Sequence, residues 1–186
     1  MMDKIELLKQ KNWISLFLLS EKELLQQCII GNFLSSKPGG QHRDKKASSV
    51  RISLFDGDIA VTSSRSRSLQ ANQKDALNKL KIGIVCKYRS DFSLKRCIAL
   101  FQLEKYFNDK LLVRNSKINL SSNNPNYLIV AGIILDILFM HSWQIQSTSK
   151  KLGVSSSHLV NFFSKEKKLL IFINAEREKL GMRSLK

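Results

Sequence analysis

Acidic side chains are scarce in this 186-residue chain: 15 Asp and Glu stand against 31 Lys and Arg, a formal net charge of +16. An excess of that size calls for a polyanionic partner, either a nucleic acid or an acidic membrane face. Cysteine is sparse too. Cys28, Cys86 and Cys97 are odd in number and scattered. They form no Cys-x-x-Cys pair and no His/Cys ligand spacing, so a zinc site is not expected; no metal ligand and no cofactor is assigned. Reduced thiols packed in a core fit a cytosolic or organelle-matrix protein. Long apolar runs are lacking. The longest, Tyr127 to Met140, is too short to span a bilayer and is interrupted by Asp136. Trp13-Ile14-Ser15-Leu16-Phe17-Leu18-Leu19 is shorter still, follows Asp3 and Glu6, and precedes no small-residue cleavage site. Both read as buried helices. A hydrophobic content of 43% permits a core and excludes global disorder, and the length suits one compact domain or two small ones.

The positive charge is unevenly spread. Residues 1–30 balance four Lys with four acids, whereas residues 35–90 hold twelve Lys/Arg against four acids. Residues 91–125 hold six against three, and residues 126–186 nine against four. A solvated face is the ordinary explanation of one charge run, and a poorer one for an excess that extends over most of a chain.

Pattern and punctuation suggest an α+β protein. Asp3 to Leu25 reads as an amphipathic helical region, with a break open at Asn12 or at Ser20, and Leu24 to Leu34 as a strand. Val50 to Leu54 alternates apolar and polar residues as a half-buried strand does. Asp56-Gly57-Asp58 is a hairpin signal, and Ile59 to Thr62 is the returning strand. Leu69 to Ile82 reads as a helix with Ala76, Leu77 and Leu80 inward, residues 83–90 as a further strand, and Phe92 to Phe107 as a helix. Ser121 to Asn126 is the clearest linker. Beyond it the pattern is helical: Leu128 to Met140, Ser147 to Leu152 closed by Gly153, Ser156 to Phe163 capped by Ser155, and Glu166 to Leu180 ended by Gly181. The pair around Gly153 has the shape of a helix-turn-helix. Such pairs are common in packed helical domains and do not by themselves argue for base-specific DNA reading. Four regions result: an N-terminal helical region (1–30), a small sheet domain with one helix and a basic loop (31–90), a connecting helical region (91–120) and a helical C-terminal domain (126–186).

One stretch carries chemistry. Pro38-Gly39-Gly40-Gln41-His42 lies in a polar, basic run from Ser35 to Lys46. A Gly-Gly pair in such a run is most often a turn. Here the two glycines also permit side-chain-free approach of the main chain to a ligand, and Gln41 supplies an amide donor and an acceptor oxygen on a short arm.

From about Phe33 to Leu80 the chain resembles the catalytic domain of peptide chain release factors and their ribosome-rescue relatives. Ser36, Pro38, Gly39, Gly40, Gln41, His42 and Lys45 match the loop motif, Val50-Arg51-Ile52 the following strand, and Arg67, Ser68, Asn72, Ala76 and Leu77 the helix start. Lys37 stands where the family usually has Gly, Arg43-Asp44 replaces Val-Asn, and Leu69 replaces Gln. The C-terminal stretch from Lys151 to Leu185 looks like the corresponding part of bacterial release-factor-like proteins, a fainter likeness that implies no role for it.

The resemblance implies a release-factor-type domain with a protruding loop, followed by an all-α domain. It implies ribosome-dependent hydrolysis of the ester in P-site peptidyl-tRNA, with Gly39, Gly40 and Gln41 catalytic. Lys37, His42, Arg43, Lys45, Lys46, Arg51, Arg65 and Arg67 would position the loop or contact ribosomal RNA. For Arg67 an internal salt bridge is an equal alternative, and His42 shapes the loop rather than acting as a base, since no residue is evident to orient it. Lys150, Lys151, Lys165, Lys167 and Lys168 would contact RNA from the C-terminal domain, whereas His141 and His158 read as ordinary helix residues. The stretch before Pro38 leaves no place for a codon-reading module, which implies action on stalled ribosomes without a stop codon. A monomer working on the ribosome in the bacterial cytoplasm is expected, with an organelle matrix as the other location and no membrane partner. The competing function is a non-catalytic RNA- or DNA-binding protein with a relic loop.

Overall fold

The computed structural model of the chain describes residues 12–34, 47–102 and 112–186. Eight helices and five strands occur among them: α1 (Trp13–Phe17), α2 (Glu21–Gln26), β1 (Cys28–Phe33), β2 (Ser49–Leu54), β3 (Ile59–Ser63), α3 (Leu69–Lys87), α4 (Leu94–Gln102), β4 (Val113–Arg114), β5 (Lys117–Ile118), α5 (Tyr127–Met140), α6 (Ile145–Leu152), α7 (Ser156–Ser164) and α8 (Lys167–Lys179). The protein is α+β, with a small three-stranded antiparallel sheet. Two compact units divide the chain, one of Ser15–Ile84 and one of Val85–Lys186 with the described part of Met1–Ile14. Boundaries expected at residues 30, 90 and 120 do not coincide with this division, which falls inside α3 and keeps the 121–126 linker within one unit.

In the first unit, α2 begins in a capping box. Ser20 Oγ accepts from the Glu23 N–H at 3.3 Å while the Glu23 carboxylate accepts from the Ser20 N–H at 2.9 Å. The helix persists to Gln26, so the strand expected from Leu24 starts only at Cys28. The sheet runs β1-β2-β3, with Ile30 opposite Ile52 and Ile52 opposite Val61. Alternation puts Val50, Ile52 and Leu54 on the buried face and Arg51 on the exposed one. Asp56 and Gly57, both at positive φ, turn β2 into β3, and the Asp58 N–H closes the turn on the Phe55 carbonyl at 3.1 Å. Ala76, Leu77, Leu80 and Ile84 form the buried stripe of α3. Gly83 lies so close to the sheet that an added Cβ would come within 2.9 Å of Ile59 Cγ2. The strand expected at residues 83–90 is therefore helix as far as Lys87. Its β-branched run Ile84-Val85 is buried, and burial overrides the local preference for strand.

The second unit is built round α5, which is apolar on every side and buried from Val130 to Leu138, as such a helix must be. Gly132 lies in the wall of this helix. A Cβ there would stand 2.8 Å from the Trp13 ring, so the absent side chain is what admits the indole. One turn on, Asp136 is 1% exposed. It accepts from Trp13 Nε1 at 2.8 Å, from the Arg89 guanidinium at 3.3 Å and from the Ser90 N–H at 3.3 Å. Burial pushes its carboxyl above the ordinary value, against the pull of Ser90, Trp13 and Arg89.

Asn115 and Ser116, both at positive φ, make the two-residue turn of the β4–β5 hairpin, which lies where a connecting helical region was expected. Of the helix expected over 92–107, residues 94–102 are helical and residues 103–107 lie outside the described residues, as does the helical reading before Asn12. After α6, Gly153 adopts φ 68°, and the Val154 N–H returns to the Ser149 carbonyl at 3.0 Å. Ser155 then caps α7. At the C-terminus, Asn174 clamps the Leu185 backbone by its N–H and its carbonyl, at 2.8 and 3.1 Å.

Candidate functional site

Gly39, Gly40 and Gln41, with Lys37, His42, Arg43, Lys45 and Lys46, lie outside the described residues. What the structure gives is the base from which their segment departs and returns. Residues 35–46 connect β1 to its antiparallel neighbour β2, between the described ends Leu34 and Ala47. Phe33 faces Ser49 across the last pair of that ladder, and Val50 faces Ser63 in the next strand. The loop from Ser63 to Ser68 therefore leaves the same end of the sheet.

Asn72 ties these pieces together. It stands in the first turn of α3 and is 1% exposed. Its side-chain amide donates to the Ser48 carbonyl at 2.7 Å and to the Ser66 carbonyl at 2.8 Å. Its oxygen accepts from the Ser66 N–H at 2.9 Å. Both donor hydrogens and the acceptor are thus used, and no other orientation of the amide serves all three groups. The sequence likeness had included Asn72 without giving it a task. Its task is to hold the main chain where it returns from the 35–46 segment. Replacing Asn72 by Asp keeps the shape but sets an acceptor against two carbonyls. The unit should lose about 2 kcal/mol, measured by chemical denaturation with Asn72→Ser for comparison.

A second set of bonds lies beside it. Asp75 takes Lys79 Nζ at 2.6 Å, Ser63 Oγ at 2.6 Å and Arg65 at 3.6 Å. Burial alone would raise its pKa. The bonds from Lys79 and Ser63 and the charges of Lys79 and Arg65 outweigh that and hold it below the ordinary carboxylate value. Arg65 reaches this pair with a side chain 79% exposed, so its charge stays open to water. Arg67, on the same loop, and Arg51, on the outer face of the sheet opposite Gly31 and Thr62, are both exposed. Neither has an ion pair among the described residues, so the internal salt bridge considered for Arg67 is not formed there.

The expected RNA-contacting lysines of the second unit separate into two groups. Lys150 and Lys151 are exposed on the last turn of α6, and Lys167 and Lys168 on the first turn of α8. Lys165 is exposed too, but its Nζ is engaged: it donates to the Leu120 carbonyl at 3.0 Å and lies 5.9 Å from the centre of the Phe162 ring. His141 follows α5 and meets Ser147 Oγ through Nδ1, and His158 Nε2 donates to the Ile118 carbonyl. Burial pushes the Cys28 and Cys97 thiols up to about 11 and Cys86 to about 12, which leaves little nucleophilic thiolate. No described helix is long and apolar enough to cross a membrane.

The chain matches no family model and no curated protein.

Proposed function

We propose that the chain is a ribosome-dependent peptidyl-tRNA hydrolase that releases nascent peptides from stalled ribosomes without reading a stop codon. Three segments in matching order and spacing support this: the loop motif around Gly39-Gly40-Gln41, the strand Val50-Arg51-Ile52, and the helix start from Arg67 to Leu77. One structural observation carries it furthest. Asn72, a residue of the third segment, is bonded to Ser48, the point where the chain returns from the first. The third matching segment is thus tied to the chain just before the second, which supports reading the two as parts of one local construction.

The reaction needs little from side chains. Water attacks the ester carbonyl, negative charge collects on oxygen, and the ribose oxygen must leave. The Gln41 N–H donates to that developing charge, and the glycines before it let bare main chain come near enough. The Gln41 side chain orients or selects the water. Orientation within a closed RNA pocket supplies much of the remaining rate. Arg51, Arg65 and Arg67, cationic and open to solvent, fit contacts with phosphates around that pocket.

Peptide release from purified ribosomes stalled with and without mRNA in the A site is the deciding measurement. Release from both complexes, with no stop codon present, is the expected result. No release from either, together with salt-sensitive binding to free nucleic acid, would establish the non-catalytic alternative.

A further inference from the structure

The helical pair α6–α7 has more around it than its own turn. Leu152, Val154, Leu159 and Phe162 are among its buried positions, and Gly153 supplies the left-handed corner. The β4–β5 hairpin is fastened to the start of α7. The Ser155 N–H donates to the Ser116 carbonyl at 3.0 Å, and His158 Nε2 donates to the Ile118 carbonyl at 3.3 Å. The tip of the hairpin and the corner between the helices therefore form one continuous surface.

Four cations stand on these two elements. Arg114 and Lys117 flank the hairpin turn, and Lys150 and Lys151 end α6. All four are exposed, and none has an ion pair among the described residues. From Leu112 to Lys165 the only acidic residue is Asp136, which is buried. The outward residues at the start of α7, Ser155 and Ser157, are short hydroxyls.

We infer that the β4–β5 hairpin and the α6–α7 corner form a docking surface for double-helical RNA, with Arg114, Lys117, Lys150 and Lys151 on phosphates. The choice of RNA rests on the ribosomal reading above and on the side chains. A base-reading helix needs arms long enough to span to base edges in a major groove, such as Arg, Gln or Asn. Serines do not reach so far. An A-form duplex closes its major groove to a helix and offers a wide, shallow minor groove lined with 2′-hydroxyls. Short hydroxyls and exposed cations on adjoining elements suit that shape. Recognition would be by form and charge, with little dependence on sequence.

The test uses the full chain and a fluorescently labelled 20-base-pair RNA duplex, with binding followed by anisotropy over a range of salt. In the variant Arg114→Ala/Lys117→Ala/Lys150→Ala/Lys151→Ala, the slope of log affinity against log salt should shrink by about 3 to 4, roughly one unit per lost phosphate contact. A variant losing four exposed cations elsewhere, Lys22, Lys74, Lys95 and Lys186, should keep most of the wild-type slope. Equal losses in the two variants would overturn the inference, as would tighter binding to a DNA duplex of the same sequence. The Gln41→Pro variant separates this surface from the proposed reaction. It should bind the duplex as the wild type does, and loss of that binding would overturn the inference. Release lost with duplex binding kept refutes nothing here, whereas release kept with duplex binding indifferent to the four substitutions removes the surface and leaves the hydrolase.

Discussion

Gln41→Pro is expected to abolish peptide release from stalled ribosomes while leaving ribosome binding intact. Proline has no backbone N–H, so the donor assigned to the developing oxyanion disappears. Removing one such donor from an acyl-transfer site costs about 10²–10³ in rate, or roughly 3–4 kcal/mol. The companion variant Gln41→Ala keeps the N–H and loses only the side chain. It should retain far more activity than the proline variant and be less selective for water over other nucleophiles. Single-turnover release with saturating protein isolates the chemical step, and co-sedimentation with ribosomes reports binding. Wild-type release by Gln41→Pro would refute the backbone-donor mechanism. Equal loss in both variants would transfer the main role to the side chain.

The largest effect on stability is expected at Asp136. In the Asp136→Ala variant Trp13 Nε1, the Arg89 guanidinium and the Ser90 N–H lose their shared acceptor together. Arg89 is the costly one, because its side chain is only 17% exposed and its charge would remain with no carboxylate beside it. Breaking a buried pair from one side costs about 3–5 kcal/mol, a large fraction of the 5–15 kcal/mol that holds a typical domain folded. Asp136→Asn keeps an acceptor oxygen for Trp13 and should cost less. Urea unfolding of the three proteins gives the order wild type, Asn, Ala. An alanine variant as stable as the wild type would mean that the Val85 and Cys86 carbonyls, which Arg89 already engages, suffice to hold its charge once the carboxylate is gone.

Much of this architecture could be read from the chain because its cues were local. The alternation in Val50–Leu54, the Asp56-Gly57 turn, Gly153 with Ser155 and the uniformly apolar α5 each act within a few residues. Failures came where distant groups decide. Residues 83–87 look like a strand until Gly83 is seen against Ile59, which makes the helical continuation the better packed choice. The β4–β5 hairpin leaves little trace in the sequence, because Asn115-Ser116 lacks the glycine of a strong turn signal and each strand has two residues. In the sequence Asp136 only interrupts an apolar run; its three partners, Trp13, Arg89 and Ser90, lie far away in the chain. For the candidate site, the motif was legible because it is a string of adjacent residues. The role of Asn72 was not, since its bond to Ser48 crosses 24 positions.

The bond between Trp13 and Asp136 spans 123 positions, and this sets a timetable for biosynthesis. At about 5–20 residues per second, translation leaves the indole waiting roughly 6–25 s for its acceptor. The C-terminal half must therefore mature late, when almost the whole polypeptide has emerged, and a bulky aromatic stays uncovered meanwhile. Truncated products ending before Asp136 would never bury it in this way and should be favoured clients of chaperones and proteases.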